Sequence, residues 1–154
     1  MTRFSEVLKE SAPEWERMQA HPFVVAVEAD ALSADALRRY LIIECGFVNA
    51  PVTIFGPALI HAPTPDARKA LTRVLSGLTD DQMGFFDRAF ARLGVVGAPW
   101  REPAPPRAEM LRSGMVGIAA FGGYAETMSA MLAAEWTYLT FCDRASLRRV
   151  SDPT

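Results

Sequence analysis

Helical spacing of apolar residues runs through almost the whole chain, and this feature most constrains the fold. The segments from Phe4 to Phe23, from Leu37 to Val48 and from Tyr124 to Cys142 repeat apolar residues at intervals of three and four. This is the period of a helix with one buried face. No β-branched run alternates convincingly with polar residues, so no strand is predicted. The chain is therefore predicted to be all-α, a bundle of about six helices joined by short connections.

Polar residues that precede apolar runs predict three helix starts. Ser33 is a suitable N-cap for the helix that follows it. Thr64 followed by Pro65 combines a cap with a proline at the first helical position. Thr79 and Gln82 have the spacing of a capping box, which predicts that a new helix begins there.

Prolines and glycines predict the interruptions. A proline inside a helix removes one backbone hydrogen bond and crowds the preceding turn, so it is expected to kink or break the helix. Glycine favours helix ends. The Pro-rich stretch 97–106 is predicted to be a surface loop. The residues expected to bend, break or end helices are Pro13, Pro51, Pro57, Gly94, Gly122 and Gly123.

Composition excludes several classes of protein. A chain of 154 residues is one domain, 1–154. A net charge of -2 offers no electrostatic surface for nucleic acid or an anionic membrane. The two cysteines suggest a reducing compartment, and the charged N-terminus does not resemble a signal peptide. The longest apolar stretch is far short of the ~20 residues of a membrane helix. We therefore expect a soluble, cytoplasmic protein.

Two glutamates interrupt apolar helical stripes. Glu44 lies between Tyr40 and Phe47, and Glu135 lies in the series that includes Tyr138. A carboxylate buried alone is costly, so such residues must be paired, hydrogen-bonded or protonated. Two of them flanked by aromatic residues predict a polar pocket inside the bundle. The alternative is that each lies at a helix edge and pairs with an arginine such as Arg39 or Arg112.

Other chemistries find less support in the sequence. A di-iron centre needs Glu-x-x-His motifs, and neither His21 nor His61 has a glutamate three residues before it. His21 could serve as a haem ligand, but its position before Pro22 favours a helix cap. Cys45 and Cys142 are more typical of packing than of nucleophiles. We therefore expect no metal and no cofactor.

Two segments carry a resemblance to a known family: HPFVVAVEADALSADALRRYLIIECGFV and GYAETMSAMLAAEWTY. They resemble the TenA/thiaminase II family (TENA/THI-4/PQQC-like), whose fold is similar to the all-helical bundle of haem oxygenase. The resemblance implies hydrolysis of an aminopyrimidine or thiamin to hydroxymethyl-pyrimidine, in pyrimidine salvage. It implies a small-molecule ligand, with no cofactor.

The resemblance also implies roles for individual residues. Glu44 matches the carboxylate that binds the aminopyrimidine edge, Phe47 matches an aromatic residue beside the ring, and Tyr138 matches a tyrosine of the later helix. The position of the family's active-site cysteine falls on Ala134. A branch of the family lacks this cysteine and uses a glutamate, which Glu135 resembles, as the catalytic residue. Tyr40 is added to the predicted substrate-binding residues because it flanks Glu44.

The chain is short at its C-terminus relative to the family, whose members usually continue with two more helices. We expect the bundle to expose an apolar groove, which favours a homo-oligomer. The main prediction is an aminopyrimidine hydrolase of the thiaminase II type. The alternative is a non-catalytic TenA-like binding or regulatory protein that kept the ligand pocket.

Overall fold

The structure, a computed structural model, describes residues 3–48 and 51–151. Every regular element in these ranges is helical, which confirms the all-α prediction, but there are eight α-helices instead of about six. They are α1 (Arg3–Gln19), α2 (Pro22–Glu28), α3 (Ala34–Val48), α4 (Pro51–Ile60), α5 (Pro65–Ser76), α6 (Met83–Leu93), α7 (Pro106–Phe121) and α8 (Tyr124–Ser151).

The predicted interruption at Pro13 was wrong, because α1 continues through this residue, while the predicted kink stays a prediction. Pro13 is exposed, so the one backbone amide that it cannot supply costs little there. The Nε of Arg17 donates a hydrogen bond to the Pro13 carbonyl oxygen at 3.4 Å. Pro51 begins α4 and Pro57 lies inside it, while residues 49–50 are outside the described part of the chain.

Two of the predicted caps are confirmed by their hydrogen bonds. The Thr64 hydroxyl accepts from the amide of Ala67 at 3.1 Å, and Pro65 is the first residue of α5. His21 caps α2, where its Nδ1 accepts from the amide of Phe23 at 3.2 Å. These contacts satisfy amides at helix starts that have no partner within the helix.

The capping box predicted at Thr79 does not form. Residues Gly77–Gln82 adopt a π-helical turn that joins α5 to α6 without a break. The Thr79 hydroxyl instead donates to the carbonyl oxygen of Leu75 at 2.9 Å. A threonine hydroxyl can accept a hydrogen bond as an N-cap or donate one to the preceding turn. Here it donates to the preceding turn, and the helix continues through Thr79.

Glycines end two of the helices as predicted. Gly94 follows α6 with φ of 64°, a left-handed conformation that costs glycine little. Gly122 and Gly123 separate α7 from α8. The loop between α6 and α7 contains a single 3-10 turn, Pro99–Arg101.

The helices form two compact units. The second unit, Ala34–Leu132, holds two apolar clusters. One is centred on α4 and contains Ile54, Phe55, Ala58, Ala62, Leu71, Met115, Ala119 and Met131. The other joins α3 to α6 and contains Leu41, Cys45, Val48, Phe86 and Phe90.

The first unit comprises Met1–Ser33 and Ala133–Thr154. Aromatic side chains pack α1 and α2 against α8. Trp15 meets Trp136 edge to face with ring centroids 6.2 Å apart, and Phe23 meets Phe141 in the same way at 6.4 Å. The prediction of one domain over 1–154 stays a prediction.

One apolar stretch, Ala34–Ile60, is long enough and apolar enough to cross a membrane by length and composition alone. It includes residues 49–50, which are outside the described ranges. The statement that no stretch reaches this length was therefore wrong. Within the stretch, α3 buries Leu41, Cys45 and Val48 in the core of the second unit, as core helices of globular proteins also do.

Candidate active site

Helix α3 buries a stripe formed by Leu41, Cys45 and Val48, which belongs to the cluster shared with α6. Cys45 is fully buried, which confirms the packing role predicted for it. Glu44 does not lie in the middle of this stripe, as the sequence suggested, but at its edge, where it is half-buried. The reason is geometric, since each residue of a helix is rotated by about 100° from the one before.

Tyr40, Glu44 and Phe47 lie together on the flank of α3. Their spacing of four and then three residues places them on one face of the helix, and all three are half-buried. Tyr40 packs against the cluster shared by α3 and α6, and Phe47 packs against the cluster centred on α4. The structure therefore brings three of the predicted site residues together as a carboxylate between two aromatic rings.

Glu135 lies on α8, and its predicted inward position was wrong. The buried residues of α8 include Thr127, Met131 and Phe141. At helical spacing this stripe continues through Ala134, which is half-buried, while Glu135 is exposed. The inward series is thus rotated by one residue from the predicted one, because a helix with apolar residues on several sides is oriented by the partners that cover it.

The Glu135 carboxyl is nevertheless perturbed. Burial by surrounding protein atoms raises its pKa above the ordinary value of 4.5. The residue as a whole remains exposed, so partial hydration limits this rise. No lysine or arginine among the described side chains pairs with it, which leaves desolvation as the cause. This direction agrees with the expectation that Glu135 titrates high.

Tyr138 lies one turn further along α8 and is 37% exposed. Its ring meets Phe141 edge to face at 5.2 Å. Glu44 belongs to the second unit, whereas Glu135 and Tyr138 belong to the first. The prediction that the two glutamates share one pocket stays a prediction.

A cavity of about 360 Å³ opens beside α3 in the second unit. Phe47 is the one predicted site residue that lines it, together with Ile43 and Gly46 of the same helix. The remaining walls come from the Pro-rich loop and from α7. Sequence reasoning missed this cavity because its walls are far apart in the chain.

The Pro-rich loop reaches α3 at Gly46. A Cβ atom at this position would lie 3.1 Å from the carbonyl oxygen of Trp100, so glycine permits the close approach. The Trp100 ring stacks on Phe90 at 5.0 Å. The lone tryptophan in this predicted surface loop was the signal that the loop is anchored.

An ion pair on α7 forms part of the cavity wall. The Nε of Arg112 donates to Oε2 of Glu109 at 3.1 Å, and Nη2 donates to Oε1. These hydrogen bonds lower the pKa of Glu109 and raise the pKa of Arg112. The i,i+3 spacing could have revealed the pair. Arg112 therefore pairs with Glu109, while the alternative that a site glutamate at a helix edge pairs with an arginine stays a prediction.

Metal-binding chemistry has no cluster to support it in the part of the chain that the structure describes. Within residues 3–48 and 51–151, no group of three or more histidine, cysteine, aspartate or glutamate residues is placed to hold a metal ion. His21 uses its Nδ1 to cap α2.

The fold and the α3 flank define a class: an all-helical bundle that presents a carboxylate between aromatic rings. The family model described as the TENA/THI-4/PQQC family matches residues 8–153, so the chain belongs to that family. A solved structure, the "TenA homologue protein from P.horikoshii OT3", superposes with a TM-score of 0.85 at 14% sequence identity. The match covers 98% of this chain and 71% of that chain.

This likeness confirms the haem-oxygenase-like, all-α fold. At such low identity it shows the fold alone. No curated protein sequence matches the chain significantly.

Proposed function

We propose that this protein is an aminopyrimidine hydrolase of the thiaminase II type that acts in thiamin pyrimidine salvage. Family membership supports a TenA-type role. The observation that carries the proposal is the flank of α3, where Tyr40, Glu44 and Phe47 share one half-buried face. The raised pKa of the Glu135 carboxyl, which desolvation causes, adds support. The proposed enzyme needs no metal or cofactor and works in the cytoplasm.

Glu44 is proposed to bind the pyrimidine. An aminopyrimidine presents an N–C–N edge. Its amino N–H, together with the ring N–H when that nitrogen is protonated, can donate hydrogen bonds to the two oxygens of one carboxylate. Tyr40 and Phe47 share the flank of α3 with Glu44 and supply rings that can pack against a planar ligand. Tyr138 is the proposed aromatic contact from α8.

Glu135 is proposed to move the proton. The bond between the pyrimidine's methylene carbon and the amine nitrogen breaks, and a bond from that carbon to the water oxygen forms. Protonated Glu135 donates its proton to the leaving amine and then accepts one from the attacking water. A raised pKa keeps a larger fraction of this carboxyl protonated at a given pH than in an ordinary glutamate, which favours the donor role. The protein would then belong to the family branch that uses glutamate where Ala134 replaces cysteine.

The test is release of ammonia from 4-amino-5-aminomethyl-2-methylpyrimidine. We expect turnover by the parent and a loss of roughly 10²-fold or more in Glu135→Gln, because glutamine keeps the shape but cannot transfer the proton. Asp143→Asn, also exposed on α8, is the matched control and should retain full activity. Equal activity in Glu135→Gln and Asp143→Asn would contradict the catalytic role.

Calorimetry with the same pyrimidine tests the role of Glu44. Glu44→Gln is expected to weaken binding by ~2 kcal/mol or more, because a charged hydrogen-bond partner is lost. Asp87→Asn removes one negative charge from an exposed position on α6 and should leave binding unchanged. Equal affinity of Glu44→Gln and parent would remove Glu44 from the binding site.

The second candidate is a non-catalytic TenA-like binding or regulatory protein. The exposure of Glu135 favours it, because a proton donor open to solvent is less protected from water. This candidate predicts pyrimidine binding that depends on Glu44, with no ammonia released by the parent protein. The two assays above therefore separate the candidates.

Self-association is the proposed partnership. Several large apolar side chains of α7 and α8 are exposed: Met110, Leu111, Ile118, Phe121, Leu132, Trp136, Leu139 and Leu147. Exposed apolar surface drives association of subunits. We propose a homo-oligomer on this ground.

A further inference from the structure

The cavity beside α3 lies on a different side of that helix from Glu44. Ile43, Gly46 and Phe47 face the cavity, and Glu44 does not line it. On a helical wheel Gly46 is about 160° away from Glu44, and Phe47 lies between the two sides. The cavity is therefore distinct from the carboxylate face used in the proposed hydrolase and shares only Phe47 with it.

Charge in the cavity is balanced but incompletely paired. Glu109 and Arg112 form a two-point ion pair with each other. Arg101 and Glu102 also line the cavity, and neither side chain makes an ion pair or hydrogen bond among the side chains that the structure describes. One arginine and one glutamate without such a partner therefore contribute to the lining of the same cavity.

The rest of the cavity is suited to an apolar body. Ile43, Phe47, Pro103, Ala104 and Ala108 contribute hydrocarbon surface. The volume of about 360 Å³ lies at the small end of ligand pockets, which run from about 300 to 1,000 Å³. Stacking of Trp100 on Phe90 holds the loop that carries Arg101 and Glu102.

We propose that this cavity binds a small zwitterion of the α-amino acid class. Arg101 binds the ligand's carboxylate, for which the planar guanidinium is well shaped. Glu102 accepts hydrogen bonds from the ligand's ammonium group, and the ligand's side chain packs on Ile43 and Phe47. A net-neutral ligand with both charges matches Arg101 and Glu102, which are unpaired among the described side chains, whereas a ligand with a single charge leaves one of them unmatched. The proposal is independent of the pyrimidine chemistry.

Three probes with the same phenylethyl body test the proposal. L-phenylalanine carries both charges, 3-phenylpropanoate carries only the carboxylate, and 2-phenylethylamine carries only the ammonium. Binding is measured by calorimetry and by tryptophan fluorescence, since Trp100 lines the cavity. We expect L-phenylalanine to bind about 10-fold more tightly than either analogue, because one charge-assisted hydrogen bond is worth roughly that ratio.

Two variants assign each charge to its partner. Arg101→Gln should weaken binding of L-phenylalanine and 3-phenylpropanoate by about 10-fold and leave 2-phenylethylamine unchanged. Glu102→Gln should weaken L-phenylalanine and 2-phenylethylamine and leave 3-phenylpropanoate unchanged. Arg92→Gln and Asp87→Asn, both exposed on α6 outside the cavity, are the matched controls. Both cavity residues are exposed, so these variants should fold normally.

Several results would overturn the proposal. They are no binding of L-phenylalanine, equal affinity for all three probes, or equal effects of the cavity variants and their controls. Glu44→Gln should leave L-phenylalanine binding unchanged while it weakens pyrimidine binding. Loss of both in Glu44→Gln would show one common site and contradict a separate cavity. Failure of pyrimidine hydrolysis alone would leave the zwitterion site intact.

Discussion

Trp100 stacks on Phe90 with ring centroids 5.0 Å apart and an interplanar angle of 8°. Phe90 in turn stacks on Phe86 at 5.8 Å, so three rings form a column from the Pro-rich loop into the core of the second unit. The loop is thus held by aromatic packing on α6 and by its close approach to Gly46. This arrangement supports one wall of the cavity.

Phe86, at the base of the column, should contribute more to the stability of the protein than its exposed neighbour Phe85. Phe86 is 2% exposed, so Phe86→Ala removes a fully packed ring and is expected to cost about 3–5 kcal/mol. Its neighbour Phe85 is 49% exposed, and Phe85→Ala should cost about 1 kcal/mol or less. Urea unfolding of the two variants measures the difference. Similar costs would show that the column does not form in solution.

Gly46 and Gly114 make a matched pair for the loop contact. Both lie inside helices, where alanine is favoured over glycine by about 0.5–1 kcal/mol. Gly114→Ala meets nothing within 4 Å and should gain this amount. Gly46→Ala places a Cβ 3.1 Å from the Trp100 carbonyl oxygen, so the loop must shift and the gain should be smaller or lost.

Denaturant unfolding reports the stability of both glycine variants, and near-UV circular dichroism reports the setting of Trp100. We expect the tryptophan signal to change in Gly46→Ala and to stay unchanged in Gly114→Ala. An equal gain in both variants with an unchanged spectrum would mean that the loop does not touch α3.

The Glu135 carboxyl should make stability depend on pH. Its pKa is raised from 4.5 in the folded protein, so the folded state holds the proton more tightly than the unfolded chain. This contribution is fully present below pH 4.5 and is lost as the pH rises through the folded pKa. At pH values above the folded pKa, Glu135→Gln, which cannot ionise, should melt at a slightly higher temperature than the parent.

Thermal melts at pH 4 and pH 7 test this dependence. The parent and Glu135→Gln should agree at the lower pH and separate at the higher one, while Asp143→Asn shows no such pattern. A parent that is the more stable of the two at pH 7 would mean that the carboxylate is stabilised by a partner.

Arg144 should stabilise the first unit through its contacts with two helix ends. Its Nη1 donates to Oε1 of Gln19 at 3.4 Å and lies 3.6 Å from Oε1 of Glu28. The Glu28 side chain is only 12% exposed, so losing this charged neighbour in Arg144→Met should cost about 1–3 kcal/mol.

Arg17→Met is the control for Arg144→Met. Arg17 pairs with Glu14 at 2.6 Å, but both side chains are well exposed, and such pairs contribute about 0–1 kcal/mol. Chemical denaturation compares the two variants. Equal losses would indicate that α8 is not held to α1 and α2 by these polar contacts.

Association should depend on the exposed apolar residues of α7. Phe121 is 94% exposed, and we expect the parent to sediment as an oligomer and Phe121→Ser to shift toward the monomer. Thr79→Ser, an exposed change outside this surface, is the control. A parent that sediments as a monomer and binds no apolar dye would contradict the proposed association.

Much of the fold was predictable because it depends on residues close together in sequence. The helical period, the Thr64 cap and the left-handed Gly94 each involve contacts within about one turn of helix. The family resemblance predicted the haem-oxygenase-like fold for the same reason, since it rests on short segments. The conformation at Thr79 was harder to predict, because its hydroxyl can either cap a new helix or donate a hydrogen bond back to the Leu75 carbonyl oxygen.

The site residues were predictable as types and only partly as positions. Tyr40, Glu44 and Phe47 were expected to act together, and they do share one flank of α3. Tertiary packing decided which side of each helix faces the core. On α3 the inward position is Cys45 instead of Glu44, and on α8 it is Ala134 instead of Glu135.

The sequence by itself determined the all-helical class, several of the helix ends and the residue types near the predicted ligand. Only the tertiary structure decided the rotation of each helix about its axis and the anchoring of the Pro-rich loop at Gly46. The physical reason is that neighbouring apolar stripes on a helix differ by about 100° and have similar hydrophobicity. The choice between them depends on the surfaces supplied by distant parts of the chain.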